Sequence, residues 1–426
     1  MKIQLLLTGN EIMSGHTVDS NSAMIAEQLA NLGLSIYRKV TIGDDFELLV
    51  DEIKHLSQHA DLVIINGGLG PTVDDLTAKA LAAANNENLD INREALSHVE
   101  QWCQSRGINV NDANRKQAYL PVSSEIIPNS VGSAVGIKMQ LDNCTVLCTP
   151  GVPSELKAMM KDNIIPLLDE QLGDSQTPQT LRLQTFGIGE SFLQQLVSDQ
   201  YPNWPEDVEL GFRAGMPQLE IKLRIFSEQH LQLQDSCHNW LQEAIGDHII
   251  GLNDSSIAEA VIELLQAKNK RLSCAESCTG GLIASMITQI PGSSKAFEAG
   301  VVSYSNESKS ALLGLDSELI KSNGAVSEAV VRAMANNVMS RTNTDYAIVV
   351  SGIAGPDGGT EEKPVGTVCI AWGAKGKIKT TTLLYPLPRQ WFQSMIAAIA
   401  LDLLRRDLLA IEQTPRYLKR YQRAEQ

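Results

Sequence analysis

Three largely apolar runs in this chain stop at a glycine-bearing turn: residues 2–7 meet Thr8-Gly9, residues 61–66 meet Gly67-Gly68, and residues 346–350 meet Ser351-Gly352. Runs that stay apolar at nearly every position, rather than at alternate ones, are covered on both faces, as in a parallel sheet between helices. Around the first two runs the order is complete: strand (2–7), amphipathic helix (21–32, closing at Gly33), strand (35–40), helix (47–56), strand (61–66). A βαβαβ order predicts right-handed crossovers and helices on both faces of the sheet. Ligands of such sheets collect beyond the carboxyl ends of the strands, which makes the glycine turns the first candidates for binding.

At 426 residues the chain exceeds the roughly 250–300 at which single cores stop growing, so two or three domains are expected. The first, residues 1–170, closes with two strands around Asp142-Asn143 and a helix over 153–172. A polar stretch, Gly173-Asp-Ser-Gln-Thr-Pro-Gln-Thr180, reads as a linker. Residues 171–253 then read as strand (181–186), helix (191–198), two strands (208–213, 218–226), helix (231–244) and a short strand at Ile249. That is a small α+β sandwich of the split βαβ kind, a spacer or dimer-forming module. A second α/β pattern fills residues 254–412, with strands at 271–274, 346–350, 365–371 and 379–385 and a last helix over 390–409. The tail, 413–426, carries Arg416, Lys419, Arg420 and Arg423 and is expected to be a solvated helix end.

Charge narrows the function classes. Lys and Arg number 35 against 50 Asp and Glu, a net charge of −15, the wrong sign for a phosphate-backbone binder, so direct nucleic-acid binding is not expected. The N-terminal apolar run is too short for a signal peptide, and the apolar stretch 395–404 is broken by Asp402 and falls short of a membrane span. Seven cysteines at irregular spacing (Cys103, Cys144, Cys148, Cys237, Cys274, Cys278, Cys369) fit a reducing compartment, and a cytoplasmic protein is expected. All seven histidines (His16, His55, His59, His98, His230, His238, His248) precede residue 250. Whatever the last domain does, it does without histidine.

In the first domain, Gly67-Gly-Leu-Gly-Pro-Thr72 follows a strand and precedes a helix, where backbone N–H groups form an anion site. It matches neither the Rossmann nor the Walker pattern. Asp74 and Asp75 beside it suit a divalent cation bridging pyrophosphate oxygens, or simply cap the following helix. Arg115 and Lys116, within Asn114-Arg-Lys-Gln117, are either phosphate-binding cations or a solvated helix face. Pro150-Gly-Val-Pro153 with Glu155 lies at another strand-to-helix turn.

In the last domain, Ser277 sits between a strand and a helix within Ala275-Glu-Ser-Cys-Thr-Gly-Gly281. That position exposes a side chain above a sheet and aims helix-terminal N–H groups at an oxyanion. A serine nucleophile needs a base, and without histidine the remaining solution is a lysine of lowered pKa. Lys309, following Ser303-Tyr304, is the candidate; a solvated loop lysine is the alternative. Cys278 is the competing nucleophile, or a small buried hydrophobe like Cys274. Ser351-Gly-Ile-Ala-Gly-Pro356 brings a second glycine loop to the same end of the sheet, and Arg389 opens the last helix, so the two offer a cradle for a nucleotide phosphate and ribose.

In combination, Thr8-Gly-Asn-Glu11, Asp19-Ser-Asn21, the glycine loop with Asp74-Asp75, Asn114-Arg-Lys-Gln117 and Pro150-Gly-Val-Pro153 resemble the molybdopterin-binding-like N-terminal domain of the CinA family (competence/damage-inducible protein A). The 275–281 motif, Tyr304 with Lys309, and the 351–356 loop resemble that family's nicotinamide mononucleotide deamidase domain. The resemblance implies a three-layer α/β domain, a small α+β domain and an α/β deamidase domain in one bifunctional pyridine-nucleotide enzyme. For the deamidase it implies Ser277 as nucleophile, Lys309 as base with Tyr304 assisting, no cofactor, and substrate contacts at Thr279, Gly280, Gly281, Ser351, Gly352, Gly355 and Arg389. For the first domain it implies ADP-ribose hydrolysis to AMP and ribose 5-phosphate with a divalent metal (cobalt or magnesium) and potassium. That site would use Asp19, Asn21, Gly67, Gly68, Gly70, Thr72, Asp74, Asp75, Arg115, Lys116 and Glu155, with Asp74 and Asp75 on the metal. It further implies a homodimer acting on small-molecule nucleotides. The chain departs from the pattern at Asn66 (Ser or Thr expected), Ser20, Ser133, Val135, Ser351 (Thr expected) and Gln393 (Arg expected). Two alternatives stand beside this reading, a molybdopterin-related transferase in the first domain and a non-catalytic nucleotide-binding or competence-linked scaffold.

Overall fold

The computed structural model describes residues 1–173 and 178–422. The chain forms two compact units, Met1–Gln179 and a second from Thr180 onward. The middle of the polar stretch and Arg423 of the tail lie outside the described residues.

The first unit is built on a six-stranded sheet in the order β2-β1-β3-β8-β7-β6, where β1 is Ile3–Thr8, β2 Ile36–Ile42, β3 Leu62–Asn66, β6 Glu125–Ile127, β7 Gly136–Leu141 and β8 Cys144–Thr149. A separate short pair joins β4 (Leu89–Ile91) to β5 (Tyr119–Pro121). Strands β1, β2, β3 and β8 run parallel, and the β7–β8 hairpin turns at Asp142 with φ 52°. The continuous apolar runs are explained by two cores. Leu6, Val63, Ile65, Val146 and Cys148 face one layer of helices, while Leu5, Leu7, Leu62, Ile64 and Leu147 face the other. Each such side chain contributes roughly 1.5–3 kcal/mol by leaving water, and alternation of the pleat sends neighbours to opposite layers.

The second unit carries two sheets. The smaller has the order β10-β11-β9-β12, with β9 Gln179–Phe186, β10 Glu209–Ala214, β11 Gln218–Ile225 and β12 Ile249–Leu252, and helices Glu190–Gln200 and Leu231–Ile245 complete its split βαβ plan. The larger has the order β14-β13-β15-β16-β17, with β13 Leu272–Glu276, β14 Phe297–Val302, β15 Tyr346–Gly352, β16 Thr367–Ala374 and β17 Lys379–Leu384. Its first three strands are parallel and the rest antiparallel. Here too the faces divide: Cys274, Ile348 and Val350 belong to one core, Ala275, Ala347 and Val349 to another.

Asp402, which interrupts the apolar stretch of helix Arg389–Leu408, is fully buried between Arg405 (Nε to Oδ1, 2.9 Å) and Arg406 (Nε to Oδ2, 2.8 Å). The two guanidiniums reach on to Asp247, Arg405 donating to its carbonyl at 2.6 Å and Arg406 to its carboxylate at 3.0 Å, which ties the helix to the small sheet's last turn. No helix among the described residues is long and apolar enough to cross a membrane. The tail is not the solvated helix end expected. Helix Arg416–Tyr421 buries Tyr417 and Leu418 in the core, and Tyr417 Oη donates to Asp402 at 2.6 Å.

Candidate active sites

In the first unit the loops after β1, β3 and β8 surround a cleft of about 560 Å3 at the carboxyl ends of the parallel strands. Of the residues expected there, Asp19, Asn21, Gly67, Gly68, Gly70, Thr72, Asp74, Asp75 and Glu155 line it. Gly67 and Gly68 hold φ of 112° and 69°, and a Cβ on Gly68 would meet Thr77 Oγ1 at 2.3 Å, so no other residue fits this turn. The N–H groups of Gly68, Leu69 and Gly70 donate to no acceptor among the described residues, which leaves them for an anion.

Asn66, the departure at the head of the loop, joins three segments. It donates to Thr149 Oγ1 (3.0 Å) and Pro150 O (2.7 Å) and accepts from Asn21 Nδ2 (2.9 Å). A serine or threonine has one donor and cannot make all three bonds. Ser133 lines the cleft, and Val135 is buried in the core.

The carboxylates differ in how they are held. Asp75 accepts from the Thr72 N–H (2.8 Å) and hydroxyl (2.5 Å), and Asp74 from the same hydroxyl, so neither caps helix Thr77–Ala84. The Thr72 hydroxyl holds the Asp74 carboxyl below its ordinary range. Asp19 is turned toward Ser22 and Lys39 (3.1 Å); burial acts to raise its pKa, but these hydrogen bonds win and keep it low. Glu155 accepts from Asn129 Nδ2 at 2.8 Å. Sequence reading missed Asp44, which lines the cleft and accepts from Thr8 Oγ1 (2.9 Å) and the Asn10 N–H (3.0 Å), and Asn129, which stands behind Glu155; only the fold brings them together.

Two expectations are corrected. Lys116 does not reach into the cleft: its ammonium donates to the carbonyls of Thr72 and Asp75 (3.0 Å for the latter) and braces the loop from behind. Arg115, about 100° round the helix from Lys116, is exposed and does not line the cleft. As for a metal, no group of three or more His, Cys, Asp or Glu among the described residues could hold one. Asp74 and Asp75 supply at most two carboxylates, a donor set that fits a hard cation retaining waters and substrate phosphate oxygens.

In the second unit Ser277 follows β13 directly, and Lys309 stands on helix Asn306–Leu313. The two meet: Lys309 Nζ lies 3.2 Å from Ser277 Oγ, with Lys309 only 1% and Ser277 7% exposed. Nζ also bonds the carbonyls of Ser303 (2.9 Å) and Tyr304 (3.2 Å). A neutral amine has two N–H groups and one lone pair; with both N–H groups on carbonyls, the lone pair is left for the serine hydroxyl. Burial pushes the Lys309 pKa down, against a weaker upward effect of Cys278. Cys278 itself is buried, and desolvation drives its thiol up to about 12, which disfavours its thiolate at neutral pH. All seven cysteines are free and buried.

Glu276, which sequence reading passed over, organises the turn that carries Ser277. Fully buried, it accepts from Thr279 Oγ1 (2.6 Å) and from the N–H groups of Gly281 (3.1 Å), Ile283 (3.1 Å) and Ala284 (2.8 Å). It therefore takes up the N-terminus of helix Leu282–Thr288, a helix whose N-cap, Gly281, has no side chain to do so. The signal was available as an acid at the end of an apolar strand ahead of an uncapped helix. Consequently the hydroxyl of Thr279 and the N–H of Gly281 are not free for substrate, and the Gly280 N–H closes a turn onto Ser277 O at 3.1 Å. The N–H groups of Cys278 and Thr279 donate to no other residue among those described, and they are the oxyanion donors this turn offers.

The remaining expected residues are placed as follows. Tyr304 touches Lys309 through its carbonyl, whereas its exposed phenol oxygen accepts from Arg389 Nη2 at 3.2 Å. Arg389 Nη1 holds Gly355 O at 2.9 Å and so anchors the second glycine loop. Ser351 is buried with its hydroxyl donating to Ala325 O (2.8 Å), and Gly352 ends β15. Gln393, the other departure, donates to Cys278 O at 2.7 Å and steadies the nucleophile turn.

Residues 254–408 match a family model described as "CinA C-terminal domain", and residues 4–170 match one described as "Probable molybdopterin binding domain". A "CinA-like protein" of Colwellia psychrerythraea is 51% identical over 420 residues, 98% of this chain and 97% of that protein. The chain belongs to the CinA-like family. Within that family, a Shewanella oneidensis protein named "Nicotinamide-nucleotide amidohydrolase PncC" is 38% identical over 411 residues, 96% of each chain. A solved structure described as competence/damage inducible protein CihA from Agrobacterium tumefaciens shares 36% identity, covering 37% of this chain and 94% of its own, with a TM-score of 0.35. The family's two domain models fall on the two units that hold the two sites.

Proposed function

We propose that the second unit hydrolyses the carboxamide of nicotinamide mononucleotide, giving nicotinic acid mononucleotide and ammonia. The observation that carries this is the buried Ser277–Lys309 pair at 3.2 Å in a site without histidine. The name of the Shewanella oneidensis relative supports the substrate class. Neutral Lys309 accepts the Ser277 proton as Oγ attacks the carboxamide carbon. The Cys278 and Thr279 N–H groups meet the oxyanion, and the lysine ammonium returns the proton to the departing amine, which leaves as ammonia. Water then attacks the acyl-serine ester, again losing a proton to Lys309, and the acid departs as Ser277 Oγ is reprotonated. The Arg389 guanidinium, held on Gly355 O and beside the Tyr304 phenol, is the cation proposed for the nucleotide's phosphate. Ammonia release from nicotinamide mononucleotide tests this, and wild-type turnover in both Ser277→Ala and Lys309→Ala would refute the mechanism.

For the first unit the same reading assigns ADP-ribose hydrolysis to AMP and ribose 5-phosphate. Supporting it are the free N–H groups of Gly68, Leu69 and Gly70, which suit a pyrophosphate, and the Asp74–Asp75 pair, which would hold a divalent ion such as cobalt or magnesium, with potassium alongside. That ion, when bound, would lower the pKa of a water and neutralise phosphate charge. Asp75, fixed by Thr72, orients the loop, and Glu155, which lines the same cleft, is the candidate base. Offering ADP-ribose and a molybdopterin substrate in parallel separates this from a transferase.

A further inference from the structure

A cavity of about 790 Å3, distinct from both sites above, lies in the second unit between the small sheet and the C-terminal helix. Its volume is that of a small-molecule site. Five rings line it, Phe186 and Tyr417 at the core side and Phe192, Tyr385 and Tyr421 beside three cations, Arg416, Lys419 and Arg420. No lining residue is Asp or Glu, and none of the three cations pairs with a carboxylate among the described residues. In a chain with 50 acidic residues against 35 basic ones, that is an unusual local balance. Three like charges around one cavity repel each other, and an anion relieves the repulsion.

The cations stand on a fixed element. Tyr417, between Arg416 and Lys419 in the chain, is bonded to buried Asp402 and packs edge-on against Phe186 with ring centroids 5.6 Å apart. Gly187 (φ 73°) lets the wall close on it, since a Cβ there would stand 2.8 Å from Tyr417 Cδ1. The aromatic side is built as well: Tyr385 and Tyr421 lie 4.1 Å apart at 41°, and the Arg416 guanidinium sits 3.5 Å over the Phe192 ring. Helix Glu190–Gln200, whose first turn lines the cavity, begins at Gly189 with no side-chain cap, which adds uncapped N–H groups to the same side.

We propose that this cavity binds a nucleoside phosphate, its base against the Tyr385, Tyr421 and Phe192 rings and its phosphate among Arg416, Lys419 and Arg420. Rings alone would take any flat apolar molecule, and cations alone would take inorganic phosphate. Their pairing at single-nucleotide size selects a ligand with both parts.

The test uses the full chain and photolabelling with 8-azido-AMP followed by peptide mapping, because AMP has other candidate sites in this protein. Label is expected on peptides carrying Phe192, Tyr385 or Tyr421, displaced by unlabelled AMP and not by inorganic phosphate at the same concentration. The double variant Arg416→Glu with Arg420→Glu should cut that label at least tenfold, and Lys419→Gln severalfold. If the double variant loses its fold, Lys419→Gln decides alone, because its side chain bonds no other described residue. Label confined to the other two sites, equal displacement by phosphate, or full labelling of Lys419→Gln each overturns the proposal. None of these readouts uses turnover, so the outcome is independent of the amidase reading.

Discussion

Lys309 Nζ approaches Ser277 Oγ from below the protein surface, on a side chain only 1% exposed and with no carboxylate among the described residues as ion-pair partner. A buried ammonium without a counter-ion is held mainly by the carbonyls of Ser303 and Tyr304, so desolvation governs its protonation and the neutral form gains. Lys309→Met keeps the volume and removes the amine. Amide hydrolysis should then fall by about 10²–10⁴, the usual worth of a positioned base, with KM little changed.

The pH dependence has a definite sign. On the proposed mechanism the neutral amine is the base, so kcat/KM should rise with pH through a pKa below the ordinary 10.5 of lysine. Stability shares that sign: between the lowered folded pKa and 10.5 the unfolded chain binds the extra proton, and folding strengthens as pH rises across that window. In Lys309→Met this part of the slope should vanish. Urea midpoints at several pH values measure it, and an unchanged slope would show that Lys309 is charged in the folded protein.

Cys278 neighbours Ser277, yet its thiol is pushed up to about 12 by burial. Cys278→Ala should therefore retain ammonia release within a few-fold of wild type, and iodoacetamide should leave the native enzyme active. Loss of a hundredfold or more on either treatment would move the nucleophile from Ser277 to Cys278.

Glu276→Gln tests the helix clamp. The carboxylate accepts three N–H groups and a hydroxyl, whereas an amide presents its own NH2 to some of those donors. Each buried donor left without an acceptor costs about 1–3 kcal/mol, so the urea midpoint should drop accordingly. Because the same turn carries Ser277, kcat should fall more than KM rises. A stable variant with normal kcat would mean the turn holds its shape without the clamp.

What could be read from the chain and what could not divides by the kind of information each residue carries. The parallel sheets were legible because both faces of β1, β3 and β15 are buried, which writes an apolar residue at nearly every position. The absence of histidine after residue 248 pointed to lysine, and the structure brings Lys309 to Ser277. Glu276 was illegible because its role depends on three N–H groups that only the folded helix presents. Adjacent Arg115 and Lys116 read as one cationic cluster, but a helix turns successive side chains about 100° apart, and the loop carbonyls claim Lys116. The tail read as solvated because its four cations, Arg416, Lys419, Arg420 and Arg423, outweigh Tyr417 and Leu418 in composition, while the partner that draws it in, Asp402, stands on another helix.

Asp402 supplies the last prediction. It is fully buried and neutralised by Arg405 and Arg406, which also bond Asp247, and it accepts from Tyr417 Oη. Removing only the carboxylate leaves two guanidiniums close together in a dry site, so Asp402→Leu should cost about 3–5 kcal/mol. It should also release the C-terminal helix, making residues 409–415 a faster site of protease cleavage. Replacing all three charges with apolar residues of similar size (Asp402→Leu, Arg405→Met, Arg406→Leu) removes the uncompensated charge along with the desolvation cost. That triple variant should recover much of the lost stability but not the tail, because Tyr417 still lacks its acceptor and Asp247 its partners. Thermal unfolding and limited proteolysis of the two variants separate the effects: recovery of both stability and protection would mean that packing of Tyr417 and Leu418, not the ionic network, holds the tail in place.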